Sequence, residues 1–284
     1  MQVQYFSELP LSEDVLRGIK DLGFEKPSPI QAQSIIPLLQ GRDVIGQAQT
    51  GTGKTAAFGI PMVESIDLLD RRVQGLVLAP TRELAIQIAG HLSKISRYTG
   101  IRVCPIYGGE KINRQIRQLK NGVHIVVGTP GRIIDHLERG TLKLKDVHMV
   151  VLDEADRMLD MGFVKDINKI LDRIPQHKQT SLFSATMDRN IWKICDKYMD
   201  RPEKILVSKD EIALEQIHPY PGLPHLWWRE DQSPDKAAQE RRPNSRRNPR
   251  EDHRSLGEGY PEPEGCQDGG PRRGRQDARY GLHP

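Results

Sequence analysis

Short apolar runs alternate with segments of helical periodicity between residues 43 and 207. The runs predict six strands, at residues 44–45, 76–79, 103–107, 125–127, 149–152 and 181–183. They are continuously apolar and rich in valine, as is typical of strands that are buried on both faces. The alternation predicts an α/β fold with a mostly parallel sheet that is flanked by helices. Ligands of such folds bind at the carboxyl ends of the strands.

Two helical patterns precede the first strand. The first begins after Ser12, a suitable N-cap, and ends at Gly23. A loop with two prolines follows, and Gln31 opens the second pattern. An amide side chain has the donors and the acceptor that match adenine N6 and N7, so Gln31 is a candidate for adenine recognition. The alternative for Gln31 is a solvated helix residue.

A glycine-rich loop follows the first strand and leads into a helix. Its residues are Ala48, Gln49, Thr50, Gly51, Thr52, Gly53, Lys54 and Thr55. The spacing fits the phosphate-loop motif G-x-x-x-x-G-K-[ST], with alanine in place of the first glycine. Successive backbone N–H groups and the helix N-terminus would bind a phosphate chain. Lys54 would reach the β- and γ-phosphates, and the Thr55 hydroxyl would coordinate Mg²⁺. The alternative is a glycine-rich turn without a ligand.

Acidic residues follow the fifth strand, where a phosphate-loop NTPase places its metal-associated aspartate. We expect Asp153 to hold Mg²⁺ through water and Glu154 to orient and deprotonate the attacking water. Asp156 is better placed to pair with a neighbouring element. Ser184 and Thr186 follow the sixth strand, and their hydroxyls can bond to Asp156 and couple the nucleotide site to other surfaces. The alternative for the acidic residues is a solvated helix start.

Three further loops follow strand ends and are candidates for contact with a phosphate backbone. They contain Pro80, Thr81 and Arg82, then Gly108 and Gly109, and finally Thr129, Pro130, Gly131 and Arg132. Thr81 is a plausible N-cap, the glycines permit close backbone approach, and proline suits a first helical position. Each loop alone is also explained by ordinary helix capping.

Composition narrows the function classes. The formal charge of +4 is compatible with a polyanionic partner, and an aromatic content of 5% argues against a fold that recognises bases mainly by stacking. Three cysteines without C-x-x-C spacing argue against a disulfide framework or a zinc site. No leader pattern and no run of about 20 apolar residues is present. We therefore expect a soluble cytoplasmic protein without a membrane partner.

The chain changes character at Ile217. Beyond it there is no Ile, Val, Phe, Met or Thr, and the segment has 12 basic and 11 acidic residues. Such a composition predicts a segment that does not bury enough apolar surface to order itself. Two interpretations of residues 218–284 remain open: a genuine arginine-rich tail that binds RNA nonspecifically, or a frameshifted reading frame, which we favour.

Taken together and in this order, the motifs resemble those of the DEAD-box family of ATP-dependent RNA helicases, over roughly residues 3 to 217. The resemblance implies a Q-motif region at residues 1–40 and a first RecA-like domain at residues 41–212. It implies that Phe24 and Gln31 recognise adenine, with Phe6 in support. It also implies that Lys54, Thr55, Asp153 and Glu154 handle ATP and Mg²⁺, and that the three strand-end loops contact RNA.

Members of the family continue into a second RecA-like domain with an H-R-x-G-R-x-G-R motif, which this sequence does not contain. Loss of an arginine finger lowers the rate of related phosphate chemistry by roughly 10³–10⁵. We therefore expect ATP-dependent RNA remodelling in this lineage and weak turnover by this chain. Two alternatives are a nucleotide- and RNA-binding fragment without turnover and an ATPase that acts on DNA.

Overall fold

The computed structural model describes residues 3–49 and 51–207. Within them, seven strands form one parallel sheet: β1 (Val44–Gln47), β2 (Gly75–Leu78), β3 (Val103–Ile106), β4 (Ile125–Gly128), β5 (Met149–Leu152), β6 (Gln179–Ser184) and β7 (Glu203–Leu206). Their order across the sheet is β3-β4-β2-β5-β6-β1-β7. The predicted α/β class with a parallel sheet is confirmed.

Helices connect the strands, and two of them precede the first strand. The helices of the described residues are α1 (Glu13–Asp21), α2 (Pro29–Leu39), α3 (Lys54–Glu64), α4 (Arg82–Ile95), α5 (Ile112–Lys120), α6 (Pro130–Glu138), α7 (Ala155–Asp160), α8 (Val164–Leu171) and α9 (Arg189–Tyr198), and a 3₁₀ turn spans Phe6–Glu8. Parallel neighbours require such crossover connections, because a tight turn cannot join them.

Both faces of the sheet are covered. Val77 and Val151 belong to one hydrophobic cluster, whereas Leu78 and Val150 belong to the cluster on the other face, and all four are fully buried. Successive side chains of a strand point to opposite faces, so a continuously apolar run is buried on both sides. Helices therefore cover both faces of the sheet, and the candidate loops lie at the ends of its strands.

All six predicted apolar runs lie in strands or overlap them, whereas β7 was not predicted. Two charged residues, Glu203 and Lys204, form the first half of β7, which pairs with β1 and lies at the edge of the sheet in the described part of the chain. Charged residues are usual on edge strands, and they leave too short an apolar run to be recognised.

The second helix also begins earlier than its pattern indicated. Helix α2 starts at Pro29 with Ser28 as its N-cap residue, which places Gln31 inside the first turn.

In the described part of the chain, every helix is too short or too polar to cross a bilayer. The predicted segment at residues 218–284 and the end of the predicted domain, residues 208–212, lie outside the described residues.

Candidate nucleotide and nucleic-acid site

The phosphate loop has the backbone that its glycines permit. Gly51 and Gly53 have φ angles of 86° and 92°, a region that residues with a side chain rarely adopt. Lys54 begins helix α3 and is only 6% exposed, and its Nζ donates a hydrogen bond to the Ala48 carbonyl at 3.1 Å. The lysine charge and the helix N-terminus therefore lie at the same loop, an arrangement that is chemically suited to an anion.

Gln31 holds the start of helix α2 against this loop. Its Oε1 accepts a hydrogen bond from the Ser28 N–H at 2.8 Å, and its Nε2 donates to the Gly53 carbonyl at 3.0 Å. The Ser28 hydroxyl donates to the Thr52 carbonyl at 2.8 Å. A Cβ at Gly53 would clash with the Gln31 Nε2, and the φ of 92° is rare for residues with a side chain, so glycine is strongly favoured there. The predicted adenine contact of Gln31 remains a prediction.

The two aromatic residues of the amino-terminal region pack on one another. The Phe6 and Phe24 rings stack with centroids 6.2 Å apart and planes inclined by 22°. Phe6 is buried, whereas Phe24 is half-buried and contacts the core that includes Ile19 and Ile30. This stack places an aromatic face beside the loop that leads to Gln31.

Asp153 is the acidic residue of this region whose pKa is shifted most strongly. It directly follows β5, is 3% exposed, and accepts a hydrogen bond from the Glu154 N–H at 3.0 Å. Burial raises the pKa of Asp153 to about 6, although the Lys54 ammonium opposes this rise and Glu154 adds to it. The carboxylate at the end of β5 therefore interacts electrostatically with the lysine that follows β1.

Glu154 has an unusual backbone for a residue with a side chain. Its φ is 50°, in the left-handed region, and its Oε2 lies 3.2 Å from the Arg157 Nη1. Left-handed backbone at a residue other than glycine costs of order 1 kcal/mol and is concentrated at functional sites. This conformation turns the chain sharply between the strand and helix α7.

Asp156 ties the acidic segment to the end of β6. Its Oδ2 accepts hydrogen bonds from the Thr186 hydroxyl at 3.1 Å and from the Thr186 and Ala185 N–H groups at 3.0 and 3.2 Å. The Asp156 N–H donates to the Ser184 hydroxyl at 3.2 Å. Burial alone would raise the pKa of Asp156, but backbone donors from Arg157 and Thr186 help to hold it below its usual value.

The other candidate loops meet at the neighbouring strand ends. Thr81 caps helix α4 and accepts a hydrogen bond from the Leu84 N–H at 3.3 Å, as its sequence position predicted. The Arg82 guanidinium lies 4.9 Å from the centre of the Tyr107 ring, and its Nη1 would be 3.3 Å from a Cβ at Gly109. The loops after β2 and β3 are thus in contact, with an exposed arginine above exposed glycines.

Helix α6 begins at Pro130, as predicted, and Thr129 continues the sheet. The Thr129 N–H donates to the Ile106 carbonyl at 3.0 Å, which joins this loop to the end of β3. The Arg132 side chain is only 15% exposed, because its Nη1 donates to the Glu110 carbonyl at 3.1 Å and to the Gln115 Oε1 at 3.2 Å. Part of its hydrogen-bonding capacity is therefore used inside the protein.

The predicted residues consequently fall into two adjacent groups along one edge of the sheet. The phosphate loop, the acidic segment and the Ser-Ala-Thr segment follow β1, β5 and β6, and the three candidate loops for RNA contact follow β2, β4 and β3. Gln49, Gly108 and Gly131 are exposed, Thr55 is half-buried and Pro80 is buried. Thr50 lies outside the described residues.

Sequence reasoning missed three polar residues of this region. Ser28 carried a signal, since a serine three positions before a glutamine is typical of a helix start. Gln47 bonds through its Nε2 to the Ala185 carbonyl at 3.1 Å, and Gln115 is fully buried. Neither glutamine carried a local signal, because glutamine is usually exposed.

The phosphate loop and the acidic segment contain the types of oxygen ligand that MgATP requires. Threonine hydroxyl and carboxylate oxygens are the hard ligands that Mg²⁺ prefers, and Thr55 and Asp153 supply one of each. No three His, Cys, Asp or Glu side chains cluster as a metal-binding group among residues 3–49 and 51–207. Mg²⁺ typically takes one or two protein ligands, with nucleotide phosphates and water completing its coordination, and so fits this set.

Comparison with known proteins identifies DEAD-box RNA helicases as relatives of this chain. The chain is 56% identical over 215 residues to the DEAD-box ATP-dependent RNA helicase CshA of Geobacillus kaustophilus, and the match covers 76% of this chain and 46% of that protein. It is 51% identical to the CshA of Bacillus subtilis, with 76% and 44% covered. The chain thus spans less than half the length of these relatives.

A solved structure and a family model agree with these relatives. The crystal structure of a DEAD box protein from the hyperthermophile Methanococcus jannaschii matches with a TM-score of 0.71 and 44% identity, over 73% of this chain and 57% of that one. The family model described as DEAD/DEAH box helicase matches residues 28–194, which include the phosphate loop, the acidic segment and the Ser-Ala-Thr segment. The chain therefore belongs to the DEAD/DEAH box helicase family.

Proposed function

We propose that the described domain binds MgATP at the ends of β1, β5 and β6 and binds an RNA backbone at the ends of β2, β3 and β4. In the protein as a whole, ATP hydrolysis would drive the remodelling of RNA. The observation that carries this proposal is the electrostatic interaction of Lys54 with Asp153. A buried carboxylate with a raised pKa, within electrostatic reach of the buried lysine that ends a glycine-rich loop, suits a site for a metal-bound phosphate chain.

Each residue of the proposed nucleotide site would have a separate role. The phosphate-loop N–H groups and Lys54 would hold the β- and γ-phosphates, and Thr55 and Asp153 would hold Mg²⁺, which neutralises phosphate charge when it is bound. Glu154 would orient the attacking water and accept its proton. Phe24 and Gln31 would recognise adenine, with the Gln31 amide exchanging its bond to Gly53 for bonds to the base.

The hydrogen bonds of Asp156 support a coupling role. They connect the acidic segment to Thr186 and, through the Asp156 N–H, to Ser184. A change at the γ-phosphate that moved Glu154 would be transmitted to the end of β6 through these bonds. Gln47 would add a second link, since it joins the strand before the phosphate loop to Ala185.

RNA is the polyanion that the second group suits best. Positively charged Arg82, exposed glycines and the amino end of helix α6 offer donors to phosphates, and the relatives are named RNA helicases. Contacts to the backbone carry little sequence information, so the preference for one RNA over another would be weak. DNA is the discriminating competitor, because it lacks the 2′-hydroxyl.

Binding and turnover should be measured separately on the purified chain. A fluorescent ATP analogue should bind in the presence of Mg²⁺, and labelled single-stranded RNA should bind more tightly than DNA of matched sequence. ATP turnover that RNA stimulates would identify the chain as an active enzyme, although we expect it to be weak. Binding without turnover would favour a nucleotide- and RNA-binding domain, and failure to bind nucleotide would refute the proposal.

A further inference from the structure

Gln115 is a fully buried polar residue in the middle of helix α5, and none of the roles proposed above involves it. Its Nε2 donates a hydrogen bond to the Tyr107 carbonyl at 3.0 Å. Its Oε1 accepts from the Arg132 Nη1 at 3.2 Å and lies 3.0 Å from the His136 Nε2. One amide therefore joins helix α5 to the loop after β3 and to helix α6.

The loop after β3 is held at both ends by this arrangement. Gln115 binds the carbonyl of Tyr107, and the Arg132 Nη1 binds the carbonyl of Glu110 at 3.1 Å. Gly108 and Gly109 lie between these two anchors and are exposed. Glycines impose few limits on their own backbone, so the conformation of this segment depends on its anchors.

His136 fixes the orientation of the amide. It is fully buried, and its Nδ1 lies 2.8 Å from the Thr141 Oγ1. Because the Gln115 oxygen can only accept, the His136 Nε2 carries the hydrogen of this bond. Burial lowers the pKa of His136, which favours the neutral ring that this pattern needs. The amide cannot rotate without the loss of bonds on both of its sides.

We infer that Gln115 is a positioning residue, which holds the Gly108-Gly109 segment and Arg132 in the geometry that binds an RNA backbone. The inference rests on the proposed RNA contact of these loops. Gln115 itself would not touch RNA. Its removal would leave buried partners unpaired and let the glycine segment sample other conformations, which RNA would then have to order on binding.

Two pairs of substitutions on the same helix test this role. Gln115→Met keeps the side-chain volume and removes every hydrogen bond, whereas Gln118→Met makes the same change at an exposed position. Gln115→Glu keeps an acceptor for Arg132 but loses the donor to Tyr107, and Gln118→Glu controls for its charge. The full chain is used throughout.

Three measurements are made on each variant: affinity for labelled single-stranded RNA at fixed salt, affinity for a fluorescent ATP analogue, and hydrogen exchange of the amides at residues 107–110. Gln115→Met should weaken RNA binding about tenfold and speed exchange at residues 107–110, with nucleotide affinity within twofold of the parent. Gln115→Glu should also weaken RNA binding and speed exchange at residues 107–110. Both effects should be larger than those of Gln118→Glu. Both Gln118 variants should bind RNA nearly as the parent does.

The results separate this inference from the proposed function. A parent chain that binds no RNA would overturn both. A parent that binds RNA, with Gln115 variants that bind it equally well despite faster exchange, would overturn only the positioning role. Equal losses of RNA and nucleotide affinity would also overturn it, since they indicate general destabilisation. If Gln115→Met does not fold, the comparison of the two Glu variants decides the question.

Discussion

Replacing Asp153 with asparagine should stabilise the folded chain at pH 8 while it removes the carboxylate that the proposed magnesium site needs. The two side chains have nearly the same shape, and asparagine retains an Oδ1 that accepts the hydrogen bond of the Glu154 N–H. The substitution therefore removes a buried negative charge with little change in packing. The gain arises because burial disfavours the charged form of Asp153.

The expected size follows from the pKa of Asp153. Folding raises it from 3.8 to about 6, a shift of about two units, and each unit corresponds to about 1.36 kcal/mol. Well below pH 3.8 the residue is protonated in both the folded and the unfolded chain, and the penalty is absent. As the pH rises from 4 to 6, only the unfolded chain releases the proton, so the stability falls. Above pH 6 the full penalty, about 3 kcal/mol, is present.

Urea denaturation followed by circular dichroism measures this difference. Asp153→Asn should be about 3 kcal/mol more stable than the parent at pH 8 and should differ by less than about 1 kcal/mol near pH 4. For a domain of this size, the gain corresponds to a rise in melting temperature of about 6–12 °C. The same variant should bind MgATP much more weakly than the parent.

Asp172→Asn is a matched control, because folding lowers the pKa of Asp172 instead of raising it. The Tyr198 hydroxyl donates to the Asp172 carboxylate at 2.9 Å and lowers the pKa of this exposed acid, so its removal should not stabilise the chain at any pH. The reasoning would be refuted if Asp153→Asn were no more stable than the parent at pH 8, or if its gain in stability were the same at pH 4 and pH 8. Either result would mean that the Asp153 carboxylate carries no burial penalty.

The remaining predictions concern the same site. MgATP affinity should rise between pH 5 and pH 7 as Asp153 ionises, and a titration with a fluorescent analogue that is flat in this range would contradict it. Lys54→Ala should remove charge-assisted bonds to phosphate worth about 3 kcal/mol, seen as at least a hundredfold loss of nucleotide affinity in the same assay. Glu154→Gln should bind ATP normally but abolish turnover, and unchanged turnover would exclude it as the base. Gly53→Ala should cost more than about 1 kcal/mol in urea denaturation, because its φ of 92° and the nearby Gln31 amide exclude a Cβ, and parent-like stability would contradict this.

Local pattern was sufficient for the fold class and for the loops that carry the candidate residues. The apolar runs before Ala48 and Asp153 are strands because valine-rich segments bury both faces, and this requires no knowledge of their neighbours. The phosphate loop is likewise defined by residues that are adjacent in the chain. Thr81 and Pro130 could be placed at helix starts because capping depends on the nearest few residues.

Strand order was decided only by the folded chain. The sequence runs from β1 to β2, but β5 and β6 lie between them in the sheet. This arrangement brings Asp153 within electrostatic reach of Lys54 and gathers the loops after β2, β3 and β4 beside them. Parallel strands are joined by long crossovers, so the order of the strands leaves no trace in the hydrophobic pattern of any one strand.

The buried glutamines Gln47 and Gln115 show that only the tertiary structure decides which distant polar residues pair. Gln47 bonds to Ala185, 138 positions away, and Gln115 bonds to Tyr107 in the loop after β3 and to Arg132 and His136 on helix α6. A glutamine in a polar helix is normally solvated, and nothing beside it in the chain marks it as buried. Periodicity and motif spacing therefore predicted the buried elements and the candidate residues that follow them. Long-range packing alone determined which polar groups meet, because partners distant in sequence become neighbours only when the sheet is assembled.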